Sequence, residues 1–80
     1  MTAHKQAQEA LGQLKEAVVA YLADHPEGCS NVNVADALGL RSDFEGKNQD
    51  YLSWSILGLL VNENRVRYEK VNNRRRYFAS

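Results

Sequence analysis

Eighty residues with a formal net charge of zero, of which 44% are hydrophobic and 25% charged, have the composition of an ordinary globular domain and not of a disordered or fibrous chain. A chain of this length buries about 60% of its unfolded surface, which supports one core and not two. The longest apolar run, residues 56–61, is far shorter than the roughly 20 residues that cross a bilayer, and the single Cys29 cannot form an internal disulfide. We therefore expect one cytoplasmic domain over residues 1–80 with no membrane association.

The zero net charge conceals a separation of charge along the chain. Residues 1–63 sum to minus five, whereas residues 64–80, which include Lys70 and the run Arg74, Arg75 and Arg76, sum to plus five. One interpretation is a solvated strand edge, because basic side chains on edge strands prevent aggregation. The other, which also accounts for the acidic remainder, is an anionic partner for residues 64–80.

Two helices are predicted in the first half of the chain. Helix 1, over about 6–24, places its apolar residues at spacings of three and four, and Pro26 and Gly28 should end it. Helix 2, over about 33–38, can be capped by Ser30, Asn31 or Asn33. The expected core residues of the two helices are Leu11, Leu14, Val18, Tyr21 and Leu22, followed by Val34, Ala35 and Leu38.

Helix 3 is predicted over about 49–62, after a polar loop, and carries two apolar stripes. At 100° per residue, Leu52, Ile56, Leu59 and Leu60 share one face, which we expect in the core. A nearly opposite stripe is either covered by the following strands or loop, or is a contact surface. That stripe consists of Tyr51, Trp54, Gly58 and Val61, with Leu57 beside it.

A β-hairpin is predicted over about 65–79, because two short segments of strand-favouring residues flank Asn72-Asn73, which suits a tight turn with positive φ. A two-residue turn fixes the register, so that Tyr68 faces Tyr77 and Glu69 faces Arg76. Val66, Tyr68, Tyr77 and Ala79 then share one side. On the other side we expect Glu69 and Arg76 to pair as a cross-strand brace.

The order of helix, short helix, longer helix and basic hairpin resembles the winged helix-turn-helix superfamily. "NVADALGL" resembles the first helix of such a unit, and "YLSWSILGLLVNENRVRYEK" resembles a recognition helix that continues into a wing. The resemblance implies an α+β fold, mainly α with a small β-hairpin: a three-helix winged helix-turn-helix with a C-terminal wing. Asn64 stands where the family usually has glycine, and asparagine tolerates the left-handed geometry. The turn is about seven residues longer than in the compact motif, with Leu52 as the equivalent of the apolar residue that normally follows.

The resemblance implies binding of double-stranded DNA, with helix 3 in the major groove and the wing on the backbone or minor groove. Asn48 and Gln49 suit base reading because a carboxamide can both donate to and accept from adenine. Small asparagines at the wing tip suit a minor groove, and basic side chains suit phosphates. The expected DNA contacts are Arg41, Lys47, Asn48, Gln49, Tyr51, Trp54, Lys70, Asn72, Asn73, Arg74 and Arg75.

We expect a small prokaryotic-type regulator of transcription, of plasmid or phage kind, without enzymatic activity, cofactor or metal. Neither His4 nor His25 has a visible catalytic partner, and the acidic-x-lysine element Glu45-Gly46-Lys47 lies in a predicted loop instead of on a strand. Two alternatives stay open. One is a module that binds another protein, or a second copy of itself, through Tyr51 and Trp54; the other is RNA binding.

Overall fold

The computed structural model describes residues 2–41 and 50–80 together with the backbone of 43–44 and 47–48. These residues form a small α+β domain with three helices and a two-stranded antiparallel hairpin near the C-terminus, which confirms the predicted class. None of the described helices is long and apolar enough to span a membrane. In chain order the elements are α1 (Thr2–Ala23), α2 (Asn31–Ala37), β1 (Asp43–Phe44), β2 (Lys47–Asn48), α3 (Tyr51–Asn62), β3 (Val66–Val71) and β4 (Arg74–Ala79).

Helix α1 begins four residues before the predicted start, and residues 2–10 are solvent-exposed. Its second half packs on the core through the predicted stripe, with Val18 and Leu22 buried and Leu11, Leu14 and Tyr21 against them. The helix gives way to a turn before Pro26, as expected for a residue that disfavours helical geometry in its predecessor.

Helix α2 begins at Asn31, two residues earlier than predicted, because Ser30 is its cap. The Ser30 hydroxyl accepts a hydrogen bond from the Asn33 backbone N–H at 3.1 Å, and the Asn33 side chain accepts one from the Ser30 N–H at 3.2 Å. This reciprocal pair satisfies two donors that a helix start leaves without partners. Val34 and Ala35 are buried as predicted.

Helix α3 begins at Tyr51 and not at about residue 49. Asn48 lies on β2, which pairs with β1 in a short antiparallel hairpin within the segment predicted as a loop. The predicted start of helix 3 is therefore about two residues too early, and Asn48 belongs to β2. Gln49 lies outside the described residues.

The buried face of α3 is rotated by about 65° from the predicted one, at 100° per residue. Ser53, Ile56, Leu57 and Leu60, at spacings i, i+3, i+4 and i+7, form the buried face. Leu52 and Leu59, predicted to be in the core, are 48% and 41% exposed, whereas Leu57 is fully buried. The buried face includes a polar residue, Ser53, whose hydroxyl donates hydrogen bonds to groups outside the helix.

The hairpin between β3 and β4 confirms the predicted register at all six pairs, including Tyr68 opposite Tyr77 and Glu69 opposite Arg76. Asn72 and Asn73 have φ values of 52° and 65°, which is the left-handed turn that the sequence predicted. Asn64, with φ of 61°, likewise adopts the conformation for which glycine is usual.

Tyr77 attaches the hairpin to the rest of the fold. Its backbone N–H donates to the Cys29 carbonyl at 2.7 Å and its carbonyl accepts from the Cys29 N–H at 3.0 Å, so the segment between α1 and α2 pairs with the outer edge of β4. Tyr77 and Val66 are both buried. The core of the described chain consists of Val18, Leu22, Cys29, Val34, Ile56, Leu57, Leu60, Val66 and Tyr77.

Candidate functional site

A groove of about 510 Å³ runs between α3 and the hairpin. Helix α3 contributes Trp54 and Gly58, and the hairpin contributes Tyr68, Arg75 and the buried Tyr77. We call it the α3–hairpin groove. Its complete lining is Trp54, Ser55, Gly58, Leu59, Val61, Asn62, Tyr68, Arg75 and Tyr77.

A second groove, of about 650 Å³, also has Trp54, Arg75 and Tyr77 in its wall and extends from them to the start of α2. Arg74 joins its lining on the hairpin side. The two grooves therefore share two aromatic side chains, Trp54 and Tyr77, and one cationic side chain, Arg75.

The outward face of α3 is apolar and open. Tyr51 and Trp54 are 66% and 54% exposed, so of the two interpretations offered by the sequence, coverage by the strands is wrong for these residues. Val61, at the other end of the stripe, is half-buried. Large aromatic side chains with a polar handle are suited to contact surfaces that are partly wet.

The Arg75 guanidinium is held by aromatic side chains. It lies 4.6 Å from the centre of the Tyr68 ring, which in turn is 6.0 Å from the Tyr77 ring. Hydrogen bonding to the Tyr77 side chain is the main cause that raises the pKa of Arg75 above its ordinary value. An arginine side chain is always charged at ordinary pH, and stacking on Tyr68 restricts the position of this charge.

Lys70, Arg74 and Arg75 have no carboxylate within ion-pair distance among the described residues. Lys70 and Arg75 are cross-strand neighbours, and Arg74 is the first residue after the turn. All three are solvent-exposed. We call them the hairpin cations.

Several other basic side chains in the described chain have acidic partners within it. Lys15 pairs with Glu63 at 2.6 Å and Arg65 with Glu16 at 2.7 Å, so two neighbouring residues of α1 hold the end of α3 and the start of β3. Apart from Lys5 in the exposed part of α1, the lysine and arginine side chains of the described residues that lack an acidic partner are therefore on the hairpin.

Arg76 is a brace, as predicted, but its partner differs from the prediction. Its Nη1 donates to the carbonyl oxygens of Glu27 and Gly28 at 3.1 and 3.3 Å, whereas Glu69 pairs with Arg67 at 3.1 Å. The expected ion pair between Arg76 and Glu69 is wrong. Arg76 and Phe78 pack closely over Gly28, which directs the guanidinium towards the 27–28 backbone.

Arg41, predicted as a phosphate contact, lies with its Nε 3.5 Å from Oδ1 of Asp50, a side chain that is only 8% exposed. That oxygen is buried and accepts no hydrogen bond from the described residues. The Arg41 guanidinium therefore lies beside a buried carboxylate of the same chain. It lines neither of the two grooves that share Trp54.

A polar network that the sequence did not predict joins the starts of α2 and α3. The Ser53 hydroxyl donates to Asn31 Oδ1 at 2.6 Å, and Asn31 Nδ2 donates to the Asp50 carbonyl at 3.1 Å. Ser53 is fully buried. The signal in the sequence is weak, since it is one serine at helical spacing from Ile56, Leu57 and Leu60.

Besides Arg41, three of the predicted contacts with DNA precede α3 in the chain. Lys47 and Asn48 form β2, and Gln49 is outside the described residues. Their contacts with DNA stay predictions, as do those of Asn72 and Asn73 at the hairpin turn.

Cys29 and Glu27 also have shifted pKa values, and each shift has a local structural cause. Burial is the main cause that raises the pKa of the Cys29 thiol, and a hydrogen bond to its own backbone is the main cause that lowers the pKa of Glu27, whose carboxylate also lies 3.1 Å from His25 Nδ1. Within the described part of the chain, no group of three or more His, Cys, Asp and Glu side chains could hold a metal ion.

Comparisons with known protein families, curated proteins and solved structures give no significant match to this chain.

Proposed function

We propose that this chain is a winged-helix module that binds double-stranded DNA, as in a small regulator, with the hairpin on the phosphate backbone and α3 in the major groove. The observation that carries the proposal is the set of hairpin cations, which have no carboxylate partner among the described residues. Two of them, Arg74 and Arg75, line a groove together with Trp54 of α3. Cationic side chains that release counterions from phosphate provide most of the sequence-independent affinity for DNA.

The shape of the module supports the same proposal. A 12-residue helix with an exposed arc lies beside a hairpin whose turn residues, Asn72 and Asn73, are small and exposed. An α-helix fits the major groove of B-DNA, and a narrow turn fits the adjacent minor groove or backbone. Asn72 and Asn73 would then be the residues closest to the minor groove.

The test is duplex binding by a variant in which Lys70, Arg74 and Arg75 are all alanine. Fluorescence anisotropy with a labelled random-sequence duplex should show weaker binding at low salt. The slope of log affinity against log salt should fall in magnitude by about 2.7, because each phosphate that a cation neutralises contributes roughly 0.9 to the slope.

A charge-matched control separates a local contact from a general loss of charge. Replacing Lys15, Arg65 and Arg67 by alanine removes the same formal charge from side chains that are already ion-paired. This control should bind almost as tightly as the wild type. Equal affinity of the wild type and the hairpin variant at low salt would contradict the proposed role of the hairpin.

A second candidate function is protein binding through Tyr51 and Trp54, because α3 carries no charged residue and leaves both aromatics exposed. Exposed apolar patches of this kind commonly mark protein interfaces. Sedimentation of the wild type and of Trp54→Ala decides whether a second copy occupies this face.

A further inference from the structure

Helix α3 lacks most of the side chains that usually read bases by hydrogen bonding. Its sequence, YLSWSILGLLVN, contains no Arg, Lys, Asp, Glu or Gln, and its single carboxamide is Asn62 at the far end. Arg, Lys, Asn and Gln make the specific hydrogen bonds in the major groove, so α3 has little capacity for this kind of readout. What it presents instead is Tyr51, Leu52, Trp54 and Leu59, each more than 40% exposed.

Gly58 keeps the middle of this face open. A glycine inside a helix costs roughly 0.5–1 kcal/mol relative to alanine, and here a Cβ would meet no other atom within 4 Å. Packing within the described chain therefore gives no reason for a glycine at this position. Its effect is to let an outside group approach the helix backbone between Trp54 and Arg75, which line the same groove.

The charge around the groove favours an anionic occupant. No acidic side chain is in the described lining of the α3–hairpin groove, and Arg75 forms part of its wall. Symmetric association of two copies through this groove would bring their Arg75 guanidinium groups together, which is unfavourable. Nucleic acid, the partner in the proposed function, is complementary to the positive charge of Arg75. The apolar side chains of α3 must then contact an apolar group of the nucleic acid.

In the major groove of a duplex, the apolar group on the base edges is the C5-methyl of thymine. A methylated cytosine carries the same group at the equivalent ring position. We infer that α3 recognises C5-methyl groups through Tyr51, Trp54 and Leu59, while the hairpin cations hold the phosphate backbone. This inference rests on the proposed DNA binding and names the feature of the duplex that α3 selects.

Random-sequence duplex pools that differ only in the methyl group provide the test. Amplification of one library by the polymerase chain reaction with dTTP or dUTP, and with dCTP or 5-methyl-dCTP, replaces the base in both strands and gives pools of equal length and charge. The thymine pool should bind the wild type roughly fourfold more tightly than the uracil pool, the factor expected when one methyl is buried. The cytosine pair shows whether methylcytosine is a second source of the same group.

Variants of α3 test whether this helix causes the difference in affinity between the thymine and uracil pools. Trp54→Ala and Gly58→Leu, which fills the groove, should reduce the ratio between the pools to near one and leave the salt dependence of the hairpin unchanged. Gly12→Leu is the matched control, because Gly12 is also an exposed helix position where a Cβ meets nothing within 4 Å. Thermal unfolding confirms that each variant is folded.

The outcomes are separable. Equal affinity for the thymine and uracil pools overturns the inference and leaves the proposed function intact, whereas no binding to any pool at low salt overturns both. Tighter binding to single strands also overturns the inference, since it indicates base stacking on Trp54. A third outcome also overturns the inference. If the wild type is a dimer that Trp54→Ala dissociates, and the variant still discriminates between the pools, then α3 is a protein interface.

Discussion

Gly28 lies where strand β4 closely approaches the segment between α1 and α2, beside the side chains of Arg76 and Phe78. It has φ of +89°, a conformation that other L-residues rarely adopt. A Cβ at this position would lie 2.5 Å from Cγ of Arg76 and 2.7 Å from Cε1 of Phe78. Both requirements, the backbone conformation and the space, come from the close approach of β4 to the segment after α1.

We expect Gly28→Ala to lower the free energy of unfolding by about 2–4 kcal/mol, the sum of left-handed strain and overpacking. Gly12→Ala is the comparison, since its added methyl group meets open space on an exposed helix. It should raise stability by roughly 0.5–1 kcal/mol. Urea unfolding followed by circular dichroism measures both, and a stable Gly28→Ala protein would contradict this account of the attachment.

At the scale of the element, the buried face of α3 contains one polar residue, Ser53. Ser53 occupies the centre of the buried face because Asn31 and the Asp50 carbonyl satisfy its hydroxyl. Leu57 is buried on the same face, whereas Leu59, two residues later and chemically identical, is 41% exposed.

Alanine substitutions of these two leucines measure the rotation. Leu57→Ala should cost about 2–5 kcal/mol of unfolding free energy, because it leaves a cavity in the core. Leu59→Ala should cost less than about 1 kcal/mol, as expected for a side chain that is 41% exposed. Equal losses, or a larger loss for Leu59, would favour the face that the apolar pattern alone predicts.

The contrast between α3 and the hairpin explains which parts of the fold could be predicted. The hairpin register follows from adjacent residues, since Asn72-Asn73 sets the turn and the pairs follow outward from it. The buried hydroxyl of Ser53 in α3, in contrast, finds its partner in Asn31, which is 22 residues away in the sequence. A periodicity argument weighs only apolar side chains, so it could not place a buried serine.

The candidate site was predictable to a similar degree. The sequence shows that Lys70, Arg74 and Arg75 are cationic. Only the tertiary structure shows that they have no carboxylate partner among the described residues. The partner of Arg76 could not be inferred either, because it consists of backbone carbonyls 48 and 49 residues away. The stripe that contains Trp54 was recognised, and only the fold showed that the hairpin leaves it open.

At the scale of the whole molecule, zero net charge coexists with a basic hairpin and an acidic remainder. Near the isoelectric point of about 6.7, the mean repulsion between copies vanishes while this asymmetry persists. The hairpin of one copy is then attracted to the acidic surface of another. Salt screens such attraction over about 10 Å at 0.1 M.

We therefore expect weak self-association near pH 6.7 that decreases as sodium chloride is added. Static light scattering between low salt and about 0.3 M should show the change, since the screening length shortens over this range. Replacing the three hairpin cations by alanine should weaken this self-association more than replacing Lys15, Arg65 and Arg67 by alanine. Association that strengthens with sulfate would instead indicate contact through the apolar face of α3.

The bridge between Cys29 and Tyr77 also has a consequence for the order in which the chain can fold. The hairpin of β3 and β4 is a local structure, and hairpins form within about 1–10 μs. The bridge closes a loop of 48 residues, which carries a larger entropic cost and needs the segment after α1 to be in place. The hairpin can therefore pair early with its own register already correct, while its docking through Tyr77 belongs to the late, cooperative step that completes the core.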